Sequence, residues 1–227
     1  AWAAEGIQPN AEFGYAVAPA GDVNGDGYAD VIVGAPFYDN GQTDEGRAYL
    51  YHGGPVLPFL TLQATVESDS AGAYLGWSVG TAGDVNGDGY ADVIAGAPFY
   101  FTSPTEGGGR ANVYFGSPTG IATTPSWTVV RSLANAAYGL SVGTAGDVNG
   151  DGYADVLVGA PWDDAGQTNE GLAYAYLGSA AGPSLTAGWG ALGGQGQAQL
   201  GWAVASAGDV NGDGYADVIV GAAFFDS

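Results

Sequence analysis

The chain has 227 residues, including 42 Gly, no Cys and no Met, and its 24 Asp and Glu outnumber 3 Lys and Arg to give a formal net charge of −21. This charge argues against nucleic acid and anionic lipid as partners, because both are bound through surfaces rich in Lys and Arg. No apolar run approaches the roughly 18 residues that a membrane span requires, and the absence of Cys leaves the redox compartment open.

The first segment of the chain, residues 1–6, reads as the outer strand of a preceding sheet. No signal peptide and no initiator Met are visible. The sequence therefore predicts a mature or excised piece of a longer product.

A ten-residue motif, Asp-Val-Asn-Gly-Asp-Gly-Tyr-Ala-Asp-Val, dominates the rest of the chain. It occurs four times, beginning at Asp22, Asp84, Asp147 and Asp209, at intervals of 62, 63 and 62 residues. A fixed period of this length indicates one repeated supersecondary unit, as in a propeller or an array. The predicted domain is a single region, 1–227, with repeats of approximately 1–58, 59–125, 126–184 and an incomplete 185–227.

The second unit shows the pattern of strands. Residues 75–82 form a short strand of small residues, 93–97 a buried apolar strand, 110–116 an alternating strand and 126–131 a strand rich in β-branched and aromatic residues. No segment has a helical stripe. The prediction is an all-β propeller of four-stranded antiparallel blades, of which about 3.7 are present, with the small residues crowded around the axis.

Further motifs flank each loop. Phe13-Gly14 precedes the first loop and Gly34-Ala35-Pro36 follows it, and this combination resembles the FG-GAP repeat, the blade of the integrin α-subunit β-propeller and its bacterial relatives. The later copies are Leu75-Gly76 with Gly96-Ala97-Pro98, Tyr138-Gly139 with Gly159-Ala160-Pro161, and Leu200-Gly201 with Gly221-Ala222-Ala223. Only the first copy keeps Phe, and the fourth lacks the Pro.

The resemblance implies a ring that usually closes with seven blades, which this chain cannot supply. An open arc exposes apolar faces at its ends. We expect a fragment of a longer array, in preference to copies that associate into a ring or a four-bladed ring that closes poorly.

The repeated loop has the composition of a calcium site. Side-chain oxygens at positions 1, 3, 5 and 9 and the backbone carbonyl at position 7 can point inward around flexible glycines, and such a set suits Ca2+ better than Mg2+. The predicted ligands of about four Ca2+ ions are Asp22, Asn24, Asp26, Tyr28 and Asp30, then Asp84, Asn86, Asp88, Tyr90 and Asp92, then Asp147, Asn149, Asp151, Tyr153 and Asp155, and finally Asp209, Asn211, Asp213, Tyr215 and Asp217.

The repeated loop is neither an EF-hand nor a zinc site. Val33 stands where an EF-hand has its bidentate Glu, and the loops contain no Cys or His for zinc. The alternative is a set of turns that use Asp, Asn and Gly for their backbone preferences. Because the loop recurs in every blade, we expect it to stabilise the fold rather than to recognise a ligand.

We expect a partner to bind on the face opposite the repeated loops, and the resemblance to integrin α propellers implies the same face. The loops there do not repeat, and they place aromatic residues beside carboxylates. The predicted ligand-binding residues are Tyr38, Asp39, Tyr100, Trp162 and Asp163. The alternative is that these aromatic side chains cap the blade cores.

No catalytic group stands out, so the chain is not predicted to be an enzyme. His52 is the only histidine and no nucleophile motif accompanies it. Arg47 and Arg110 occupy the same position in their blades, which predicts structural pairing, and every clustered carboxylate pair is explained by calcium.

Three functions stay open. The favoured one is a calcium-stabilised extracellular module, secreted or on the cell surface, for adhesion to protein or glycan. The others are a structural repeat unit of an extracellular assembly, in which the partners are other copies or blades of the same protein, and the non-catalytic propeller of a larger secreted enzyme. Calcium sites of modest affinity fill where calcium is plentiful, which favours the cell exterior.

Overall fold

The computed structural model describes residues 3–55, 60–102, 107–133 and 135–226. These ranges consist of strands, turns and loops. Among them no helix is long and apolar enough to cross a membrane.

The described strands form four antiparallel sheets, with the strands of each sheet in chain order. Blade 1 contains β1 (Ala16–Gly21), β2 (Asp30–Ala35), β3 (Arg47–His52) and β4 (Thr61–Glu67). Blade 2 contains β5 (Ser78–Gly83), β6 (Asp92–Ala97), β7 (Arg110–Tyr114) and β8 (Trp127–Val130). Blade 3 contains β9 (Ser141–Gly146), β10 (Asp155–Ala160), β11 (Leu172–Tyr176) and β12 (Trp189–Leu192), and blade 4 contains β13 (Leu200–Gly208) and β14 (Asp217–Ala222).

The inner strands lie side by side around a common axis. β1 contacts β5, β5 contacts β9 and β9 contacts β13. All four inner strands line an open central depression of about 300 Å³. Sequences such as Ser-Val-Gly-Thr-Ala-Gly in β5 and β9 have the small side chains that this crowded position requires.

The cores lie between the blades. Ile32 and Leu50 of blade 1 pack against Val79 and Val93 of blade 2. A second core joins blades 2 and 3, where Trp127 lies edge-on to Tyr176 with 5.1 Å between ring centroids. Each sheet of blades 1 to 3 therefore buries apolar side chains on both faces, which explains the continuous apolar run of the second strands.

The predicted all-β, partial propeller is confirmed, with two corrections. The described part of the predicted leading strand, residues 3–6, forms no strand, and residues 1 and 2 lie outside the described ranges. The repeat limits at 125/126 and 184/185 place the fourth strand with the following repeat, whereas β8 and β12 pair with the preceding third strands. The limit at 58/59 falls outside the described residues.

Candidate functional site

The four repeated loops all lie at one end of the blades. Each connects the first strand of its blade to the second, and the Asp at position 9 is the first residue of the second strand. Because neighbouring blades are parallel copies of one another, the loops share one face of the molecule. All twenty predicted ligands therefore lie on this face, which we call the loop face.

Hydrogen bonds from the backbone hold each loop closed around its first carboxylate. In blade 2, Asp84 Oδ1 accepts from the N–H of Gly87 at 2.7 Å, and Asp84 Oδ2 accepts from Gly89 at 2.9 Å. Both glycines have a positive φ, +73° and +91°, which a side chain would disfavour. The Asp88 carboxylate in turn accepts from the Tyr90 N–H at 3.0 Å. The glycines of the motif thus curl the backbone around the position-1 Asp, and the other loops repeat the same bonds.

The Asp at position 9 has a different environment from the other loop carboxylates. Asp92 is fully buried, and its two oxygens accept from the N–H groups of Val85 at 2.9 Å and Gly116 at 2.8 Å. Burial raises its pKa to about 7, the two hydrogen bonds oppose this, and the carboxylates of Asp88 and Asp84 add to the rise. Since Gly116 follows the third strand, position 9 ties the loop to three strands of the blade.

The donor set fits a hard cation in its chemistry, because the side chains at positions 1, 3 and 5 present oxygen and the position-7 carbonyl adds another. Asn86 donates from Nδ2 to Asp88 Oδ2 at 2.9 Å and accepts the Asp88 N–H at Oδ1. Among the described residues, no repeated loop brings three carboxylate oxygens within 4.8 Å of one another. The assignment of the twenty ligands stays a prediction.

Neighbouring loops contact each other along this face. The Ala91 N–H donates to the Asp22 carbonyl at 3.0 Å, and Ala154 donates to Asp84 in the same way. The Tyr90 ring covers Gly25 of the preceding loop so closely that a Cβ there would lie 2.8 Å from the ring. The Tyr and Ala of the motif therefore make contacts between blades, a role that the sequence pattern alone does not indicate.

Aromatic side chains gather on the opposite face. Trp77 lies within 4.8–6.4 Å, centroid to centroid, of four other rings, and Phe99 extends the group to Trp162 at 5.8 Å. We call this group the aromatic surface; its members are Tyr15, Phe37, Tyr74, Trp77, Phe99, Phe101 and Trp162. Five of them line an open depression of about 550 Å³. Phe101 and Tyr15 remain 41% and 45% exposed, so ring faces are available to a partner.

The predicted ligand-binding residues divide between this surface and the interior. Trp162 belongs to the aromatic surface, and Asp39 is exposed with its carboxylate accepting the Asp44 N–H at 2.7 Å. Tyr38 is buried with the Arg47 guanidinium 3.6 Å from its ring centroid, and Tyr100 is half-buried beneath Arg110 at 4.0 Å.

Asp163 is also buried, and it accepts from Arg131 Nε at 2.7 Å. Tyr38 and Tyr100 contact arginines of their own blades, and Asp163 pairs with Arg131 of the preceding blade. Ligand contact at these residues stays a prediction. Their neighbours Phe37 and Phe99 point to the surface instead. Two adjacent aromatic residues after a strand differ in direction, and the turn geometry decides which one faces outward.

The single histidine and the arginines have structural partners. His52 Nδ1 lies 3.3 Å from Asn24 Nδ2, beside the first loop. Arg47 pairs with Glu67, and Arg110 donates to the Ser68 carbonyl and hydroxyl at 3.3 and 3.1 Å. The structural pairing predicted for Arg47 and Arg110 is confirmed.

Comparisons with known proteins agree with this architecture. The FG-GAP repeat family model matches residues 13–51, 75–114, 138–176 and 200–227. Integrin alpha-7 of Rattus norvegicus is 36% identical over 157 residues, which is 67% of this chain and 13% of the relative. Integrin alpha-PS2 of Drosophila melanogaster is 38% identical over 170 residues, covering 68% of this chain and 12% of the relative.

A longer match covers almost the whole chain. Integrin alpha-4 of Xenopus laevis is 33% identical over 221 residues, or 94% of this chain, yet these are only 20% of the relative. The chain thus spans a fifth or less of these relatives. Among solved structures, a Bacillus licheniformis rhamnogalacturonan lyase aligns with a TM-score of 0.54 at 17% identity, over 90% of this chain and 40% of that one. An exotype rhamnogalacturonan lyase aligns with a TM-score of 0.52 at 16% identity, over 90% and 39%. These two likenesses concern the fold alone.

Proposed function

This chain belongs to the FG-GAP repeat family, and from that premise we propose that it is a calcium-stabilised extracellular module that binds a protein partner through the aromatic surface. The observation that carries the proposal is the cluster of partly exposed rings around Trp77, to which equivalent positions of the first three blades contribute Phe37, Phe99 and Trp162. A few residues carry most of the binding energy at protein interfaces, and Trp and Tyr are enriched among them because they bury a large area. The similarity to integrin α chains supports a role in adhesion or interaction.

The two faces of the molecule have different roles in this proposal. The loop face would hold Ca2+ at oxygen donors that recur in each blade and would stabilise the fold. The opposite face, where the sequences differ from blade to blade, would carry specificity. An extracellular location supplies the calcium that sites of modest affinity need.

The charge of the molecule suggests the chemistry of the partner. The aromatic surface offers ring faces, and the chain around it is acidic overall, with a net charge of −21. Arg and Lys side chains are attracted both to ring faces and to a negative field. We expect the partner to present basic and apolar side chains together.

No catalytic role is proposed for this chain. The shared fold with two lyases does not transfer an activity at 16–17% identity. His52 contacts the first loop and the arginines pair with carboxylates or backbone, so none of them is offered here as a catalytic group.

Substitution within the aromatic surface tests the proposal. Trp77→Ala removes the ring that contacts most of the others, and Phe101→Ala removes an exposed ring at the edge of the depression. We expect each to weaken partner binding by about 2 kcal/mol, on the order of 30-fold, as for an interface hot spot. The measurement is affinity capture from extracellular protein extracts with quantitative mass spectrometry, followed by titration of the captured partner.

Trp189→Ala is the matched control, since Trp189 is a 43% exposed tryptophan of β12 that is not part of the aromatic surface. The control should retain the same partner as the unaltered protein. A partner that Trp77→Ala and Phe101→Ala both retain with unchanged affinity would disprove the assignment of this face. Thermal melting of each variant separates loss of binding from loss of fold.

A further inference from the structure

A buried carboxylate far from the loop face lacks a hydrogen bond of normal geometry. Glu45 lies in the connection between β2 and β3, is 0% exposed, and neither of its carboxylate oxygens accepts a hydrogen bond of normal geometry. Burial raises its pKa, the nearby Asn40 N–H and Arg47 oppose this, and the carboxylates of Glu67 and Asp69 add to the rise. A buried carboxylate in this condition either takes up a proton or is balanced by a positive charge, because its charge has been removed from water.

Two further carboxylates face the same point. Glu45, Glu67 and Asp69 each contribute one oxygen to a group in which all three lie within 4.8 Å of one another. Two oxygens bound to one Ca2+ at about 2.4 Å can be at most about 4.8 Å apart. The separation of the three oxygens is therefore within the range that a single ion can bridge.

The positive charge already present does not balance the group. Arg47 pairs with Glu67, and Asn40 Nδ2 donates to the other oxygen of Glu67 at 2.7 Å. The Arg47 guanidinium also stacks on Tyr38 at 3.6 Å, which fixes its position. Three carboxylates and one guanidinium leave two negative charges, which a divalent cation would neutralise.

The group joins three segments where the chain passes from blade 1 to blade 2. The Glu45 carbonyl accepts the Leu75 N–H at 3.0 Å, and the Asp44 carbonyl accepts that of Tyr74 at 3.1 Å. Glu67 ends β4, and Asp69 lies in the link to β5 with a φ of +54°. An ion bound here would clamp this link at the face opposite the repeated loops.

The other blades lack this arrangement. The strand registers align Arg47 and Glu67 with Arg110 and Val130 in blade 2, and with Leu172 and Leu192 in blade 3. The three acidic positions correspond to Gly108, Val130 and Ser132 in blade 2, and to Glu170, Leu192 and Gly194 in blade 3. Glu170, which is also buried, accepts the Gln167 N–H at 3.2 Å. Only Glu45 combines burial, missing hydrogen bonds and two neighbouring carboxylates among these equivalent positions.

We propose that Glu45, Glu67 and Asp69 form a binding site for a hard divalent cation of the calcium class, separate from the four repeated loops. The oxygen-only donor set selects Ca2+ or a similar ion over zinc or copper. Water completes the coordination on the side of Asp69, the exposed member of the group. The proposal does not rest on the aromatic surface or on the function proposed for it.

Calcium stoichiometry tests the site directly. The purified protein, Glu45→Gln and Glu170→Gln are each dialysed to equilibrium against the same Ca2+ concentration, and bound calcium per chain is measured by elemental analysis. Glu45→Gln should bind one ion fewer than the unaltered protein. Glu170→Gln, the equivalent substitution in blade 3, should bind the same number as the unaltered protein.

A second variant guards against a folding defect in Glu45→Gln. Asp69→Asn changes an exposed side chain, and it should weaken the binding of that same ion about tenfold or more while the far-ultraviolet circular dichroism stays unchanged. If Asp69→Asn, and Glu45→Gln where it folds, bind as much calcium and as tightly as the unaltered protein, Glu45 is a protonated buried acid and the proposal fails. It fails equally if Glu170→Gln loses an ion.

Discussion

At the scale of single residues, the glycines of the two flanking motifs bring neighbouring blades into backbone contact. The Gly76 N–H donates to the Gly96 carbonyl of its own blade at 3.0 Å. A Cβ on Gly96 would lie 2.0 Å from the carbonyl oxygen of Gly139 in the next blade. Gly34 and Gly159 have the same contact with Gly76 and Gly201. These positions require glycine because two backbones meet there without room for a side chain.

Gly96→Ala should therefore destabilise the protein strongly. The opposing group is backbone and cannot move aside, so we expect a loss of about 3 kcal/mol or more in the free energy of unfolding. Chemical denaturation with urea measures this value. Gly143→Ala is the control, because Gly143 lies in an inner strand with nothing within 4 Å of its would-be Cβ. Equal stability of the two variants would contradict the backbone-contact explanation.

At the scale of elements, the second and third repeated loops each act on two blades. The position-9 Asp accepts a hydrogen bond from the backbone just after its own third strand, and the Tyr and Ala contact the preceding loop. A loop that only wrapped an ion would need neither the Tyr ring nor the Ala N–H at fixed places. The contacts between loops therefore give a physical reason for the repetition of the Tyr and of the first Gly in the motif.

Tyr90→Ala should cost more stability than Tyr28→Ala. The Tyr90 ring covers Gly25, whereas Tyr28 belongs to the first repeat and is 41% exposed. We expect Tyr90→Ala to lower the free energy of unfolding by roughly 2 kcal/mol more than Tyr28→Ala, since only Tyr90→Ala removes a ring that packs on a neighbouring loop. Urea denaturation of the two variants compares them, and losses of the same size would show that the ring contact contributes nothing.

At the scale of the whole molecule, negative charge is concentrated on one face. Twelve of the 24 Asp and Glu residues belong to the four loops, and four bound Ca2+ would change the formal charge from −21 to −13. Like charges gathered on one face oppose folding unless cations neutralise them. Blade packing and ion binding would thus stabilise the same arrangement.

Removal of calcium should lower the melting temperature. A ligand that binds only the folded state at 100 times its Kd contributes about 2.7 kcal/mol per site, and each kcal/mol shifts the Tm of a chain of this size by about 2–4 °C. We expect EGTA to lower the Tm by at least 10 °C, measured by circular dichroism. EGTA saturated with Ca2+ is the control and should leave the Tm unchanged; an equal Tm with free EGTA would refute a stabilising role.

The sequence by itself determined the repeat, the strand order within a blade and the oxygen-rich chemistry of the loops. Periodicity and turn chemistry depend on residues that are close together in the chain, so they can be recognised in the sequence alone. The strands predicted for residues 93–97 and 110–116 agree with β6 and β7 to within two residues. The family resemblance rested on the same local motifs and is confirmed.

Only the tertiary structure decided which side chains share a surface. The sequence predicts Tyr38 and Tyr100 as ligand-binding residues, whereas Phe37 and Phe99 line the open depression, because the direction of a side chain after a strand depends on the turn. Glu45 and Asp69 are 24 residues apart in the chain, and their approach depends on the pairing of β3 with β4 and on the link to blade 2. Contacts between distant segments arise from packing, and no local pattern records them.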